Sequence, residues 1–281
     1  MNKVLVLGGG SWGTTLANLL AEKDHDVSLW ARNSKIFSKE KTHWINNKYL
    51  PKYKLSKQLT IISNLKNAFR DVDLIIIAIP SKGFRSISSK ISKYLDKQKI
   101  LIASKGIENQ SFMTMSEIFV DETNYSKKNI MVLSGPNIAD EIIRKNISAS
   151  VIAGDDKKTL GHVSDLFNTD FFKVFLSNDI KGVEMAGALK NLYAICSGLS
   201  DGLGFESNTK AMLLTRSLSE MSDLFKKINA NPLTLLGLSG VGDLIATSSS
   251  KKSRNYSFGK LLGKGNSSKK ALGMINQSVE G

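Results

Sequence analysis

A lysine inside a small-residue helix is the first feature of this chain that could do chemistry. Lys190 lies in the run EMAGALKNLY, which has helical spacing and few large polar residues. Burying an ammonium group there costs free energy unless the group is paired or neutral. Such a lysine could exchange a proton with a substrate. Alternatively, its aliphatic stem carries the charge to the surface.

Two further polar features occur in the second half of the chain. Asp243 is an acid within the apolar run GVGDL, and Ser253, Arg254 and Asn255 form a cluster of hydrogen-bond donors. An arginine flanked by two such side chains suits a phosphate group. Without other evidence, Asp243 could be a loop cap and the Ser-Arg-Asn cluster an ordinary turn.

A glycine motif near the N-terminus predicts a dinucleotide site. A short aliphatic strand, residues 3–7, is followed by GGGSWG, a helix over 14–23 and a second strand over 27–30. In this context Gly8 allows the tight turn, Gly10 leaves room for a pyrophosphate, and Gly13 lets the helix pack on the strand. The helix N-terminus then presents N–H groups to the anion.

The end of the second strand bears on cofactor preference. An acid usually follows this strand where NAD binds, because it accepts a hydrogen bond from the ribose 2′-hydroxyl. Here the strand ends Trp30-Ala31-Arg32-Asn33. A guanidinium at this place can pair with a 2′-phosphate, so we expect NADPH to be preferred and NADH tolerated. A solvated arginine at a strand end is the alternative.

The elements that must position these residues divide at about residue 180. Before it, apolar runs over 73–79, 100–103 and 130–133 predict parallel strands, 148–153 and 171–175 could extend the sheet, and helical patterns cover 83–94 and 112–120. Residues 32–58 are predicted to form a polar loop with a short helix. After residue 180, helices are expected over 183–199 and 209–228, followed by an apolar stretch over 235–246.

The predicted fold is therefore an α/β Rossmann-type dinucleotide-binding domain, residues 1–179, followed by an all-α substrate and catalytic domain, residues 180–281. The helical domain resembles the C-terminal domain of 6-phosphogluconate dehydrogenase. Layout alone does not fix the substrate.

Composition excludes several other classes. The net charge is +14, but only six of the 39 basic residues are arginine and the lysines are spread along the chain, which favours a solvated surface over a nucleic-acid site. The positive field would also attract phosphorylated substrates.

The single cysteine, Cys196, is predicted to be a core residue, and the three histidines are too scattered to predict a metal site. With no long apolar run and no leader pattern, we expect a cytoplasmic protein.

The whole chain resembles the NAD(P)-dependent glycerol-3-phosphate dehydrogenases of bacterial type. Eight segments carry the resemblance in the same order along the chain: GGGSWGTTLA (8–17), NNKYLPKYKL (46–55), IPSKGFR (79–85), SKGIE (104–108), SGPNIADEI (134–142), GVEMAGALKNLYAICSGLSDGLGF (182–205), NTKAMLLTR (208–216) and GVGDLIATSSSKKSRNYSFG (240–259). The resemblance implies an oxidoreductase that interconverts dihydroxyacetone phosphate and sn-glycerol 3-phosphate with NAD(H) or NADP(H). It also implies a homodimer that supplies glycerol phosphate for phospholipid synthesis.

The resemblance also implies roles for particular residues. Lys190 would be the proton acceptor, and Lys105 and Asp243 would act beside it. The implied substrate contacts are Lys105, Gly135, Asn137, Asn191, Asp243, Thr247, Ser253, Arg254 and Asn255. The implied cofactor contacts, together with the glycines above, are Ser11, Trp12, Arg32, Lys105, Ala139, Arg254 and Glu280.

Two departures from the family pattern stand out. Asn137 replaces a hydroxyl residue that is common there, although its amide can still form hydrogen bonds. Family members also continue through further helices where this sequence stops at Gly281, so a C-terminal truncation is expected.

The resemblance suggests a mechanism for these residues. Burial and the nearby charge of Lys105 would lower the pKa of Lys190, whereas Asp243 would raise it and is better assigned to orienting Lys190 or the substrate hydroxyls. Two other functions stay open. One is a related β-hydroxyacid or phosphogluconate-type dehydrogenase, and the other is an inactive dinucleotide-binding fragment.

Overall fold

The computed structural model describes residues 2–66, 68–275 and 279–280. The chain forms two compact units, and each is discontinuous in sequence. The first, called here the sheet unit, contains Met1–Ser104, Met115–Leu133 and Ala139–Asn178. The second, the helical unit, contains Lys105–Thr114, Ser134–Ile138 and Asp179–Gly281. Two short segments between strands thus group with the helices.

An eight-stranded sheet is the centre of the sheet unit. Its strands are β1 (Lys3–Leu7), β2 (Asp26–Trp30), β5 (Leu59–Ile62), β6 (Leu74–Ile77), β7 (Lys99–Ile102), β8 (Ile130–Ser134), β9 (Ser148–Gly154) and β10 (Phe172–Ser177), and β3 (Phe37–Glu40) and β4 (His43–Asn46) form a separate hairpin. The order across the sheet is β10-β9-β8-β7-β6-β1-β2-β5. Strand β1 pairs in parallel with both β2 and β6, so the chain reverses its direction of winding beside the glycine turn.

Burial explains why these runs form strands. All four residues of β6 are buried, as expected for a parallel strand covered on both faces. In β2, partly buried and fully buried residues alternate over part of the strand, as expected for a strand nearer the edge of the sheet. The helices of this unit are α1 (Ser11–Ala21), α2 (Phe84–Ser92), α3 (Met115–Thr123), α4 (Ala139–Ile142) and α5 (Lys157–Phe167).

The prediction of a loop with a short helix over 32–58 was wrong. The segment contains one 3-10 turn at Ser34–Ile36, and then β3 and β4 pair antiparallel with Phe37 opposite Asn46. Three of the four residues of β3 are exposed, so no apolar alternation marks the strand in the sequence. Strand β5, which pairs with β2, was also not predicted.

Helices make up the regular structure of the helical unit. They are α6 (Ile180–Gly202), α7 (Ser207–Lys227), α8 (Asp243–Ser249), α9 (Arg254–Gly263) and α10 (Ser268–Ile275). A 3-10 turn at Pro232–Leu236 and a π-helical turn at Leu238–Gly242 lead into α8. Met221, Phe225 and Leu244 are fully buried in the core of this unit.

Helices α6 and α9 pack backbone to backbone. A Cβ atom on Gly198 would lie 1.9 Å from the Tyr256 carbonyl oxygen, and one on Gly259 would lie 1.9 Å from the Ile195 carbonyl oxygen. Only glycine allows this approach at the two positions. Of the helices described, none is both long and apolar enough to cross a membrane.

Candidate active site

The glycine turn between β1 and α1 has the geometry of an anion site. Gly8 has a φ of +131°, and a Cβ there would lie 2.2 Å from the Ala78 carbonyl oxygen. A Cβ on Gly13 would lie 2.0 Å from the Gly8 carbonyl oxygen, whereas a Cβ on Gly10 would meet open space. Helix α1 begins at Ser11 with no side-chain hydrogen bond at its N-cap, so its first N–H groups are available to a pyrophosphate.

The remaining residues expected to bind the cofactor lie in both units. In the sheet unit, Trp12 is partly buried in α1, Arg32 is exposed just beyond β2, and Ala139 begins α4. Lys105, Arg254 and Glu280 belong to the helical unit. The bare backbone of the glycine turn fits a dinucleotide, and Arg32 adds a positive charge near the end of β2.

Lys190 is the buried amine of the helical unit. Its residue exposure is 9%, and its Nζ donates to Asp243 Oδ1 at 2.9 Å and to Thr247 Oγ1 at 2.7 Å. Burial lowers the pKa of Lys190 to about 8; Asp243 opposes this shift, and the nearby Lys105 adds to it. The structure therefore excludes the surface-reaching alternative for Lys190. At neutral pH the amine is mostly protonated and can still lose its proton.

Asp243 joins the two lysines. It is 1% exposed, and its second oxygen, Oδ2, accepts from Lys105 Nζ at 2.5 Å. Burial acts to raise the pKa of Asp243, but the charges of Lys105 and Lys190 outweigh it, and the pKa lies below its usual value. Asp243 is therefore an anion that orients both ammonium groups.

Local structure explains how Asp243 and Thr247 reach Lys190. The π-helical turn ends where α8 begins, which places Asp243 at the first position of the helix. Thr247 follows one turn later on the same face, and its hydroxyl donates to Asp243 Oδ1 at 3.1 Å. The three side chains of Lys190, Asp243 and Thr247 thus form a closed hydrogen-bonded ring.

Lys105 is held by backbone as well as by Asp243. Its Nζ donates to the Gly135 carbonyl oxygen at 3.1 Å. Gly135 belongs to the segment Ser134–Ile138, which also carries the partly buried Asn137. The predicted neighbours of Lys105 are therefore brought together within the helical unit.

A second group of predicted residues surrounds Asn255. Its Nδ2 donates to Asn191 Oδ1 at 2.7 Å, and its Oδ1 accepts from the Glu280 backbone N–H at 3.1 Å. Ser253 is the N-cap of α9, where its hydroxyl accepts from the Tyr256 N–H at 3.2 Å. Arg254 is exposed in the first helical turn. Asn191 follows Lys190 directly on α6, so this group is joined to the helix that carries the buried amine.

Sequence reasoning missed one pair that holds the site in place. The Thr114 hydroxyl donates to Glu184 Oε2 at 2.8 Å, and both residues are buried. This bond fastens the segment Lys105–Thr114 to α6, the helix that carries Lys190. The sequence could have drawn attention to Glu184, because it is a second charged residue in the same small-residue helix as Lys190, but it carries no signal for the pairing with Thr114.

The described residues contain no cluster of histidine, cysteine, aspartate or glutamate that could hold a metal ion. These residues offer an amine that can exchange a proton, a fixed anion, a second cation and polar side chains at the start of α9. Such a set suits proton transfer to or from an oxygen of a small phosphorylated substrate.

Comparison with known proteins agrees with this chemistry. Residues 3–160 match the family model of the NAD-dependent glycerol-3-phosphate dehydrogenase N-terminus, and residues 179–281 match that of its C-terminus. The chain is 42% identical to a glycerol-3-phosphate dehydrogenase [NAD(P)+] of Macrococcus caseolyticus, over 100% of this chain and 85% of the relative. It is 44% identical to the protein of the same name from Psychrobacter cryohalolentis, over 99% of this chain but only 64% of that relative.

Solved structures show the same relationship. The crystal structure of glycerol-3-phosphate dehydrogenase from Coxiella burnetii is 34% identical, with a TM-score of 0.94 over 100% of this chain and 86% of that one. A glycerol-3-phosphate dehydrogenase from Saccharomyces cerevisiae is 26% identical, with a TM-score of 0.82 over 99% of this chain and 86% of that one. The sheet with its glycine turn and the helical unit with its buried lysine are therefore those of the NAD-dependent glycerol-3-phosphate dehydrogenase family, to which this chain belongs.

Proposed function

We propose that this chain reduces dihydroxyacetone phosphate to sn-glycerol 3-phosphate with NAD(P)H, and catalyses the reverse oxidation. The observation that carries the proposal is the buried amine of Lys190, which donates to Asp243 Oδ1 at 2.9 Å and directly precedes Asn191, the hydrogen-bond partner of Asn255. Family membership supports the substrate and the cofactor.

Lys190 acts as the proton donor and acceptor in this proposal. In the reductive direction, C2 of the ketone gains a hydride, and the Lys190 ammonium donates a proton to the ketone oxygen, which becomes a hydroxyl. In the oxidative direction, the neutral amine accepts the hydroxyl proton as the hydride leaves C2. When bound, the nicotinamide supplies or takes the hydride. A pKa of about 8 keeps both forms of the amine accessible near neutral pH.

Asp243 and Lys105 prepare Lys190 for this role. Asp243 holds the Lys190 ammonium in place, and Thr247 receives a second of its hydrogen bonds. Lys105 brings a second positive charge to the same carboxylate, so that the charge of Asp243 is shared between two cations. This sharing weakens the hold of the carboxylate on the Lys190 proton and favours its transfer to the substrate.

The phosphate group would bind at the start of α9. Arg254 can form two parallel hydrogen bonds to phosphate oxygens, and Ser253 and Asn255 lie on either side of it. Gly135 and Asn137 are assigned to the same substrate because their segment is joined to Lys105. Binding energy from the non-reacting phosphate would hold C2 at the Lys190 amine.

The dinucleotide would bind at the glycine turn of the sheet unit. Gly8, Gly10 and Gly13 leave the backbone bare, and the N–H groups of Ser11 and Trp12 begin the helix that receives the pyrophosphate. The further contacts that we propose for the cofactor are Arg32, Lys105, Ala139, Arg254 and Glu280.

We also propose a homodimer that works in the cytoplasm. The helical unit exposes several large apolar side chains at the junction of α6 and α7, among them Leu203 at 60%, Phe205 at 55% and Met212 at 61%. Large apolar side chains exposed in this way are typical of surfaces that another protein covers. Sedimentation equilibrium would distinguish a dimer from a monomer.

The direct test is oxidation of NADPH and NADH by the purified chain with dihydroxyacetone phosphate. We expect turnover with this substrate and none with β-hydroxyacid substrates or 6-phosphogluconate in the reverse direction. Turnover only with one of those acids would assign the chain a different substrate. Cofactor binding without any turnover would identify it as a dinucleotide-binding fragment.

A further inference from the structure

Asn46 is a fully buried polar residue to which the proposed reaction gives no role. It ends β4 and opens the segment NNKYLPKYKL, which sequence analysis singled out without assigning it a function. Its exposure is 0%. A buried amide is costly unless its hydrogen bonds are made, so the partners of Asn46 show what it does.

Those partners belong to the glycine turn. The Asn46 Nδ2 group donates to the Gly9 carbonyl oxygen at 3.0 Å and to Thr14 Oγ1 at 2.9 Å. The Asn46 Oδ1 atom accepts from the Tyr49 N–H at 3.1 Å. Both N–H bonds of the amide are thus used, and its oxygen is fixed from its own segment. The side chain is therefore held in one orientation.

The bond to Gly9 sets the direction of a peptide group. The Gly9 carbonyl and the Gly10 N–H belong to the same planar trans peptide, so they point in opposite directions. Fixing the carbonyl toward Asn46 therefore fixes the Gly10 N–H away from it. The space beside Gly10 is open, since a Cβ there would meet no atom within 4 Å. Glycine alone would leave this peptide free to rotate, because it tolerates most backbone conformations.

A second amide fastens the other end of the same segment. Asn18 lies in α1 with 4% exposure, and its Oδ1 accepts from the Ser56 N–H at 2.7 Å. The segment from Asn46 to Ser56 is therefore joined at its start to the glycine turn and at its end to the helix that follows the turn. Leu50 and Leu55 anchor it through burial, at 2% and 0% exposure.

We propose that Asn46 is a positioning residue for the pyrophosphate of the dinucleotide. It holds the Gly9–Gly10 peptide with its N–H directed at the anion, so the free protein already has the binding conformation. This inference rests on the proposed function, because it takes the glycine turn as the pyrophosphate site. Ordering the turn in advance avoids an entropic cost on binding, so the effect should appear in cofactor affinity.

The experiment is a fluorescence titration of the apo protein with NADPH and with NADH, together with a thermal melt without cofactor. For Asn46→Ala we expect the Kd for both cofactors to rise about tenfold, which corresponds to about 1.4 kcal/mol. Both should be affected alike because they share the pyrophosphate. Asn46→Asp keeps the shape and the bond from Tyr49 but replaces the two donors by acceptors, so it should raise Kd at least as much.

Two variants separate positioning from stability. Thr14→Val removes the other partner of the Asn46 amide and should lower the melting temperature while leaving Kd within about twofold. Asn47→Ala removes an exposed amide of the same type, which accepts only a long hydrogen bond of 3.3 Å from the Ser38 hydroxyl, and should leave Kd unchanged. If both Asn46 variants bind with unchanged Kd, or if Thr14→Val weakens binding as much as they do, the inference is wrong. If the unaltered chain binds neither cofactor, the proposed function itself fails.

Discussion

Asp243 contacts Lys190 through one carboxylate oxygen and Lys105 through the other. The distances are 2.9 Å to Lys190 Nζ and 2.5 Å to Lys105 Nζ. Lys190 lies 53 positions and Lys105 lies 138 positions before Asp243 in the chain, yet the three side chains form one charge cluster around the buried carboxylate of Asp243. Burial is the main cause of the lowered pKa of Lys190, Asp243 opposes this shift, and the positive charge of Lys105 adds to it.

The pH dependence of the reaction follows from this cluster. Reduction needs the protonated form of Lys190, and the pKa of Lys190 is about 8. We therefore expect kcat/KM for dihydroxyacetone phosphate to be constant at lower pH and to fall as the pH rises through about 8. For oxidation of glycerol phosphate, kcat/KM should rise through the same range, because the neutral amine accepts the proton.

Asp243→Asn tests whether Lys190 is the group whose titration sets the pH profiles. Asp243 raises the pKa of Lys190, so removing its charge should move both pH profiles toward lower pH. Thr247→Ser keeps the hydroxyl and is the control that should leave the profiles in place. A profile that stays unmoved in Asp243→Asn would mean that another group titrates.

Arg254→Ala tests the phosphate contact. Losing a charge-assisted hydrogen bond typically costs about 1.5–3 kcal/mol, so we expect KM for dihydroxyacetone phosphate to rise about 10- to 100-fold. Added guanidinium should restore part of the activity, because it supplies the missing cation. Lys251→Ala removes an exposed positive charge three residues earlier and serves as the control. An equal KM in the two variants would refute the phosphate role of Arg254.

Arg32→Ala tests the cofactor preference. If Arg32 pairs with the 2′-phosphate, its removal should lower kcat/KM for NADPH at least tenfold and leave that for NADH nearly unchanged. Arg70→Ala is the matched control, since Arg70 is also an exposed arginine of the sheet unit. A strong preference of the unaltered protein for NADH would show that Arg32 has no such role.

The sequence predicted the fold best where burial requires a run of apolar residues or where the backbone requires a glycine. The apolar run over residues 73–79 predicted a central strand, which the structure shows as the buried strand Leu74–Ile77, and the glycines of the turn Gly8–Gly13 predicted the close backbone approaches found there. The hairpin Phe37–Asn46 was missed because its first strand is mostly exposed and carries no apolar alternation, and because the hairpin is held by polar bonds from Asn46. No spacing rule links Lys105 to Asp243, so their contact required the folded chain.

Burial of polar residues was predicted only in part. The small, apolar neighbours of Lys190 left two alternatives open, a buried amine or a side chain that reaches the surface, and the structure shows the buried one, with an exposure of 9%. The paired burial of Glu184 and Thr114 depends on how the segment Lys105–Thr114 lies on α6. That placement comes from tertiary packing, which local composition does not encode.

The close packing of α6 on α9 predicts a large stability effect at one glycine. Gly198→Ala places a methyl group within 1.9 Å of the Tyr256 carbonyl, so we expect it to reduce the free energy of unfolding by about 1–3 kcal/mol or more. Gly273→Ala, in a helix of the same unit with open space around it, should instead stabilise by about 0.5–1 kcal/mol. Denaturant melts of the two variants measure both values. If the two variants had the same free energy of unfolding, α6 and α9 could move apart at Gly198 without loss of stability.

The most direct measurement of the central claim is kcat of Lys190→Ala beside its Kd for NADPH. We expect kcat for reduction of dihydroxyacetone phosphate to fall by about 10²- to 10⁴-fold, the usual contribution of a general acid, while Kd stays within about twofold. A variant that binds NADPH normally and turns over at the rate of the unaltered protein would remove Lys190 from the mechanism.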